Sequence, residues 1–148
     1  MRLPTAEDTR GLGARLAGLL RPGDLVILNG PLGAGKTAFA QGIGVGLGVA
    51  GRVVSPTFVI ARVHPGPLPM VHVDAYRLGS LVEVDDLDLD VDVARSVTVV
   101  EWGSGLVERL ADAYLEVRLT RGGDSEVREI DFVAHGGDWA ERLDALRD

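Results

Sequence analysis

The sequence contains no cysteine. Disulfides and thiolate metal centres are therefore excluded, which fits the cytosol. It has no run of about 18 apolar residues, the length a membrane-spanning helix needs. Its first ten residues, MRLPTAEDTR, contain no apolar signal core. A soluble, cytoplasmic protein without a membrane partner is the expectation. No cluster of Lys and Arg occurs, and the net charge is −7. Direct, charge-driven binding of DNA or RNA is disfavoured, because an acidic surface repels phosphate backbones. Aromatic residues make up only 5%. No internal repeat or low-complexity linker breaks the chain. Its 148 residues point to a single domain spanning 1–148 with one modest core.

What is present is hydrophobic patterning and glycine. Thr5 and Asp8 have capping-box spacing, and Leu12, Leu16, Leu19 and Leu20 follow with helical period. They predict a helix ending near Arg21-Pro22-Gly23. LVILN (25–29) and VTVVE (97–101) are short apolar runs expected as strands buried on both faces. VVSPTFVIARV (53–63) and MVHVDAY (70–76) read as a strand pair joined by the turn HPGPLP (64–69). YLEVRLT and VREIDFV alternate around Gly122-Gly123 and predict a hairpin. Asp138, Trp139, Leu143 and Leu146 predict a closing helix. The expected class is α/β, a P-loop NTPase-like three-layer domain with a mixed, partly parallel sheet.

Between LVILN and a helix marked by Phe39, Ile43 and Leu47 lies GPLGAGKTAFAQG (30–42). Gly30, Gly35, Lys36 and Thr37 match G-x-x-x-x-G-K-T in the strand–loop–helix setting this motif requires. Glycines let backbone N–H groups turn toward the β-phosphate, and the helix N-terminus adds partial positive charge. Lys36 is expected at the β- and γ-phosphates and Thr37 on Mg²⁺. Asn29 is the only asparagine, so no Asn-Lys-x-Asp guanine reader exists, and ATP is the expected nucleotide.

Such a loop needs a carboxylate at a neighbouring strand end. Glu101, at the end of VTVVE and before Trp102, supplies one; the competing reading is a strand-end glutamate facing solvent. Asp74 in HVDAYR ends another strand. Position alone supports it equally as a water-orienting or metal-binding acid and as a turn cap. His72 alternates with Val71 and Val73 and reads as a packed sheet residue. Arg77 has Asp74 or phosphate as possible partners. Thr57 in SPTF has either a switch-loop role or that of an ordinary turn residue, position alone favouring the turn. The acidic stretch EVDDLDLDVD (83–92) lacks the glycine and final glutamate of a calcium loop, and reads as a solvated or partner-facing segment.

GPLGAGKT, SPTF, HVDAYRL and VEWG, in this order, resemble the bacterial TsaE (YjeE) family, and the resemblance covers nearly the whole chain. It implies a Mg²⁺-dependent ATPase, weak alone and stimulated by partners, that serves threonylcarbamoyl modification of the tRNA adenosine beside the anticodon. In that pathway TsaC makes threonylcarbamoyl-AMP, TsaD with TsaB transfers the group, and TsaE binds the TsaB–TsaD pair, meeting tRNA only through TsaD. Carried over by motif, Gly33, Ala34, Gly35, Lys36, Thr37 and Ala38 surround the phosphates. Thr37 and Glu101 hold Mg²⁺. Asp74 is a catalytic candidate, Thr57 sits in a switch-like loop, and Trp102 follows the acid. Thr9 corresponds to the segment flanking adenine and Arg128 to a C-terminal arginine near the nucleotide. Two positions depart from the family pattern. Pro31 replaces a common acid, and Ala38 lacks a hydroxyl for the α-phosphate. A small-molecule P-loop kinase is the alternative, although only Arg62 and Arg77 lie centrally and no lid-length insertion is visible. A nucleotide-bound scaffold without hydrolysis is the third reading.

Overall fold

The computed structural model describes residues 1–31, 34–49, 61–74, 95–101, 113–121 and 127–147, with backbone alone at 61, 62, 74 and 147. The described elements, in chain order, are β1 (Arg2–Leu3), α1 (Ala6–Ala17), β2 (Leu25–Asn29), α2 (Lys36–Leu47), β3 (Ala61–His64), β4 (Met70–Asp74), β5 (Val97–Glu101), β6 (Tyr114–Arg121), β7 (Arg128–His135) and α3 (Trp139–Arg147).

The strands form one seven-stranded sheet in the order β1-β7-β6-β2-β5-β4-β3. β6, β2, β5 and β4 are mutually parallel, and antiparallel pairs flank them: β3 on β4, β7 on β6, β1 on β7. The mixed, partly parallel sheet is the expected one. β2 lies at its centre, where the chain's strand order reverses, and ligands of open α/β sheets bind beyond the strand ends at such a point.

Local chemistry accounts for the elements. Thr5 and Asp8 form the full capping box: Thr5 Oγ1 accepts from the Asp8 N–H, and Asp8 Oδ2 accepts from the Thr5 N–H. α1 ends at Ala17, four residues before Arg21. The N–H groups of Leu19 and Leu20 donate to the carbonyls of Leu16 and Ala17, so the last turn tightens into i→i−3 bonds. Leu20 still reaches the core.

Leu12 and Leu16 of α1, Phe39 and Ile43 of α2, and Trp139, Leu143 and Leu146 of α3 pack on Val26, Leu28, Val97, Val99, Leu115, Val117 and Leu119 of the sheet. Each large side chain buried there contributes roughly 1.5–3 kcal/mol. The opposite face is covered as well: Ile27 and Val71 are 0% exposed and Val100 3%. Central strands hidden on both faces explain why LVILN and VTVVE are apolar without alternation. α3 is pinned by Arg142, whose guanidinium donates to both Asp24 oxygens, at 2.6 and 3.2 Å, and to Asp138 at 2.9 Å, and lies over the Trp139 ring. Among the described residues no helix is long and apolar enough to cross a membrane.

Candidate functional site

The site begins where β2 ends. After Asn29 the chain enters the glycine loop, of which residues 32 and 33 lie outside the described set. Gly30 passes so close to β6 that a Cβ there would stand 2.3 Å from the Leu119 carbonyl oxygen. Its glycine is thus required by sheet packing as well as by any ligand. Gly35 caps α2 with φ of 98°, the left-handed region, where a Cβ would be strained.

The first turn of α2 carries no side-chain cap and no acidic residue. Helix α1, by contrast, has both. Among the described residues no carboxylate or hydroxyl caps the N–H groups that open α2, and the helix dipole adds positive potential at the same place. An anion is the complement of that arrangement. Lys36 is 5% exposed. Its Nζ bends back over the loop and donates to the carbonyls of Gly30 (2.6 Å) and Pro31 (3.0 Å). This places the ammonium group over the loop that α2 closes. Thr37 and Ala38 follow in the first turn, both half-buried, and Ala34 is wholly buried.

Glu101 ends β5, with its backbone in register with Leu28 of β2 on one side and Asp74 of β4 on the other. The three strands thus stop at one level beside the glycine loop. Glu101 is only 4% exposed, so the reading of a solvent-facing glutamate does not hold. Its Oε2 lies 2.6 Å from His72 Nε2. His72, packed in the sheet as expected, also has this polar contact. The contact follows from the strand pairing: with Asp74 opposite Glu101 in parallel strands, His72 becomes a same-face diagonal neighbour.

Arg128 opens β7, and its Cγ and Nε lie 3.4 Å from where a Gly35 Cβ would be. A residue 93 positions away in sequence is thus brought against the loop. Thr9 is 0% exposed, with Oγ1 bonded to the Thr5 carbonyl, so its hydroxyl faces its own helix. Asp74 has its backbone at the site's level. Gly33, Thr57, Trp102, Arg77 and the acidic stretch 83–92 lie outside the described residues.

A second polar cluster lies on the opposite face of the sheet, on β6. Glu116 accepts from Asn29 Nδ2 (3.0 Å) and Arg118 Nε (2.8 Å), and His135 Nε2 lies 2.9 Å away. The His135 ring stacks on Tyr114 at 4.3 Å. Burial pushes the Glu116 pKa up, but hydrogen bonds from Arg118, His135 and Asn29 outweigh it and bring it down to about 2. The single asparagine is engaged here.

Comparisons with known proteins bear on the family and the fold. The family model described as "Threonylcarbamoyl adenosine biosynthesis protein TsaE" matches residues 3–130. A Streptomyces coelicolor protein named tRNA threonylcarbamoyladenosine biosynthesis protein TsaE is 59% identical over 139 residues, covering 88% of this chain and 93% of the relative. A Bacillus subtilis protein of the same name is 40% identical over 137 residues, covering 91% and 85%. A crystal structure of Bacillus subtilis YdiB superposes with a TM-score of 0.81 at 32% identity, covering 99% of this chain and 92% of that one.

Proposed function

The chain belongs to the TsaE family of tRNA threonylcarbamoyladenosine biosynthesis proteins, and on that premise we propose that it binds and hydrolyses Mg²⁺-ATP as a partner of the TsaB–TsaD pair. The observation that carries the reading is the uncapped N-terminus of α2, with Lys36 Nζ over its loop and the buried Glu101 carboxylate at the adjacent strand end.

The residues fit both ligands. The opening N–H groups of α2 and the Lys36 ammonium offer donors and positive charge to a triphosphate. Thr37 and Glu101 offer hard oxygen donors. Among the described residues no group of three His, Cys, Asp or Glu side chains could hold a metal ion. Mg²⁺ suits such a site, since it is commonly held by one or two protein oxygens together with phosphates and water. Bound there, Mg²⁺ would neutralise charge developing on the phosphates.

Each residue then has a defined task. Lys36 exchanges two carbonyl acceptors for phosphate oxygens. Thr37 and Glu101 hold the metal. Asp74 orients the attacking water, with Thr57 in a loop that responds to the γ-phosphate. Arg128, against Gly35, adds positive charge at the loop's open side, Trp102 adjoins the metal acid, and Thr9 supports the adenine-flanking segment. With Asn29 bonded to Glu116 and no other asparagine in the chain, a guanine reader of the Asn-Lys-x-Asp type is lacking, which supports ATP. The net charge of −7 supports contact with tRNA through TsaD rather than through this chain, in the cytoplasm.

The test is phosphate release at matched protein concentrations, with and without purified TsaB–TsaD. Slow turnover alone and clear stimulation by the pair are expected. Asp74→Ala should bind ATP and lose the stimulated rate. Full activity of the chain alone, unaffected by the pair, contradicts the proposal.

A further inference from the structure

Parallel pairing of β4 with β5 sets His72 opposite Val99 and Asp74 opposite Glu101. His72 and Glu101 therefore sit on one face, one step apart on the diagonal. Their contact is short, 2.6 Å between Nε2 and Oε2, and dry, with side chains 0% and 5% exposed. The other ring nitrogen, Nδ1, is buried and without a hydrogen-bond partner. No other hydrogen bond to the Glu101 carboxylate occurs among the described residues.

These facts agree on one arrangement of the proton. An ionised carboxylate only accepts, so Nε2 must donate. In a neutral ring Nδ1 then carries a bare lone pair. An unmet acceptor is better tolerated in a protein interior than an unmet N–H. The unpartnered atom is thus the one that the Nε2–H form leaves at least cost. That donor occupies Oε2 and leaves Oε1 as the remaining oxygen. In a buried, low-dielectric setting such a bond fixes the carboxylate's orientation more firmly than it would at the surface.

We propose that His72 is a positioning residue that clamps Glu101 through Oε2 and so reserves Oε1 for the nucleotide-bound metal. The proposal rests on Glu101 being a Mg²⁺ ligand, as argued above. Partners that orient metal-ligating side chains typically change metal affinity by about 10- to 100-fold when removed, so the effect is measurable without any turnover assay.

Two measurements on the full chain decide it. In the first, ¹⁵N NMR of histidine-labelled protein at neutral pH reads the His72 ring, assigned by its loss in His72→Gln. A proton on Nε2 is expected; a ring carrying its only proton on Nδ1 overturns the clamp. In the second, ATP binding is titrated by calorimetry across Mg²⁺ concentrations and in EDTA. His72→Phe, which lacks the donor, should raise the half-saturating Mg²⁺ concentration about tenfold and leave metal-free ATP affinity unchanged. His72→Gln, which retains one, should shift the dependence less than His72→Phe does. Equal losses with and without Mg²⁺ would mark His72 as packing alone and overturn the proposal. Glu101→Gln serves as the reference. If it too leaves Mg²⁺ dependence intact, the metal-ligand reading and the clamp fall together; if it shifts the dependence and His72→Phe does not, only the clamp falls. Should His72→Phe fail to fold by circular dichroism, the ring spectrum and the His72→Gln titration carry the decision.

Discussion

Glu101 and Glu116 are both buried glutamates on strands that flank β2, one on each face of the sheet. Glu116 is surrounded by an arginine, a histidine and an amide, and its pKa falls to about 2. Glu101 has a single hydrogen-bond partner among the described residues, His72, at Oε2. The first carboxylate is saturated and ties β2, β6 and β7 together. The second stands at a strand end, level with the glycine loop. Both carboxylates are buried, so burial does not tell them apart; the number of hydrogen bonds each accepts does.

Substitutions at the two sites should have different consequences. The largest effect is expected at Glu101. Glu101→Gln should lower phosphate release stimulated by TsaB–TsaD by about a hundredfold or more, a loss typical of removing one preorganised electrostatic group, read in the same phosphate assay. Next comes Lys36→Ala. Loss of charge-assisted bonds worth roughly 1.5–3 kcal/mol should weaken ATP binding about 10- to 150-fold by calorimetry, with the fold retained by circular dichroism.

Glu116→Gln should act on stability instead. The folded pKa of about 2 lies below the ordinary 4.5, so this carboxylate stabilises the fold fully above about pH 4.5. That contribution is lost as pH falls from 4.5 toward 2. The variant should unfold with about 1 kcal/mol less stability at pH 7 and show a flatter acid limb in urea titrations at stepped pH. An acid limb as steep as the native one would remove Glu116 from this role. The smallest effect is optical. In a Trp139→Phe background, Trp102 emission should change on addition of Mg²⁺-ATP because it adjoins Glu101; a flat titration at saturating nucleotide would detach it from the site.

Much of this was legible in the sequence because local chemistry dictated it. The capping box at Thr5 and Asp8, the apolar runs of β2 and β5, and the loop ending in Gly35-Lys36-Thr37 each carry a short-range signal, and each is found where expected. The end of α1 was misplaced because Leu19 and Leu20 keep helical spacing through a tightened last turn. The two-residue β1 is too short to leave a periodic signature. What could not be read locally is strand order. Nothing within YLEVRLT shows that β6 lies parallel to β2, and that pairing is what brings Glu116 to Asn29 and the Leu119 carbonyl to Gly30. The same holds for His72, whose polar role appears only once β4 is set beside β5.

The two glutamates meet in one experiment: calorimetric titration of ATP, with and without Mg²⁺, into the native chain, Glu101→Gln and Glu116→Gln. Mg²⁺ should tighten ATP binding to the native chain and to Glu116→Gln alike, and the tightening should be lost in Glu101→Gln. Retained Mg²⁺ enhancement in Glu101→Gln, or its loss in Glu116→Gln, would contradict the assignment of the nucleotide site to the Glu101 face of the sheet.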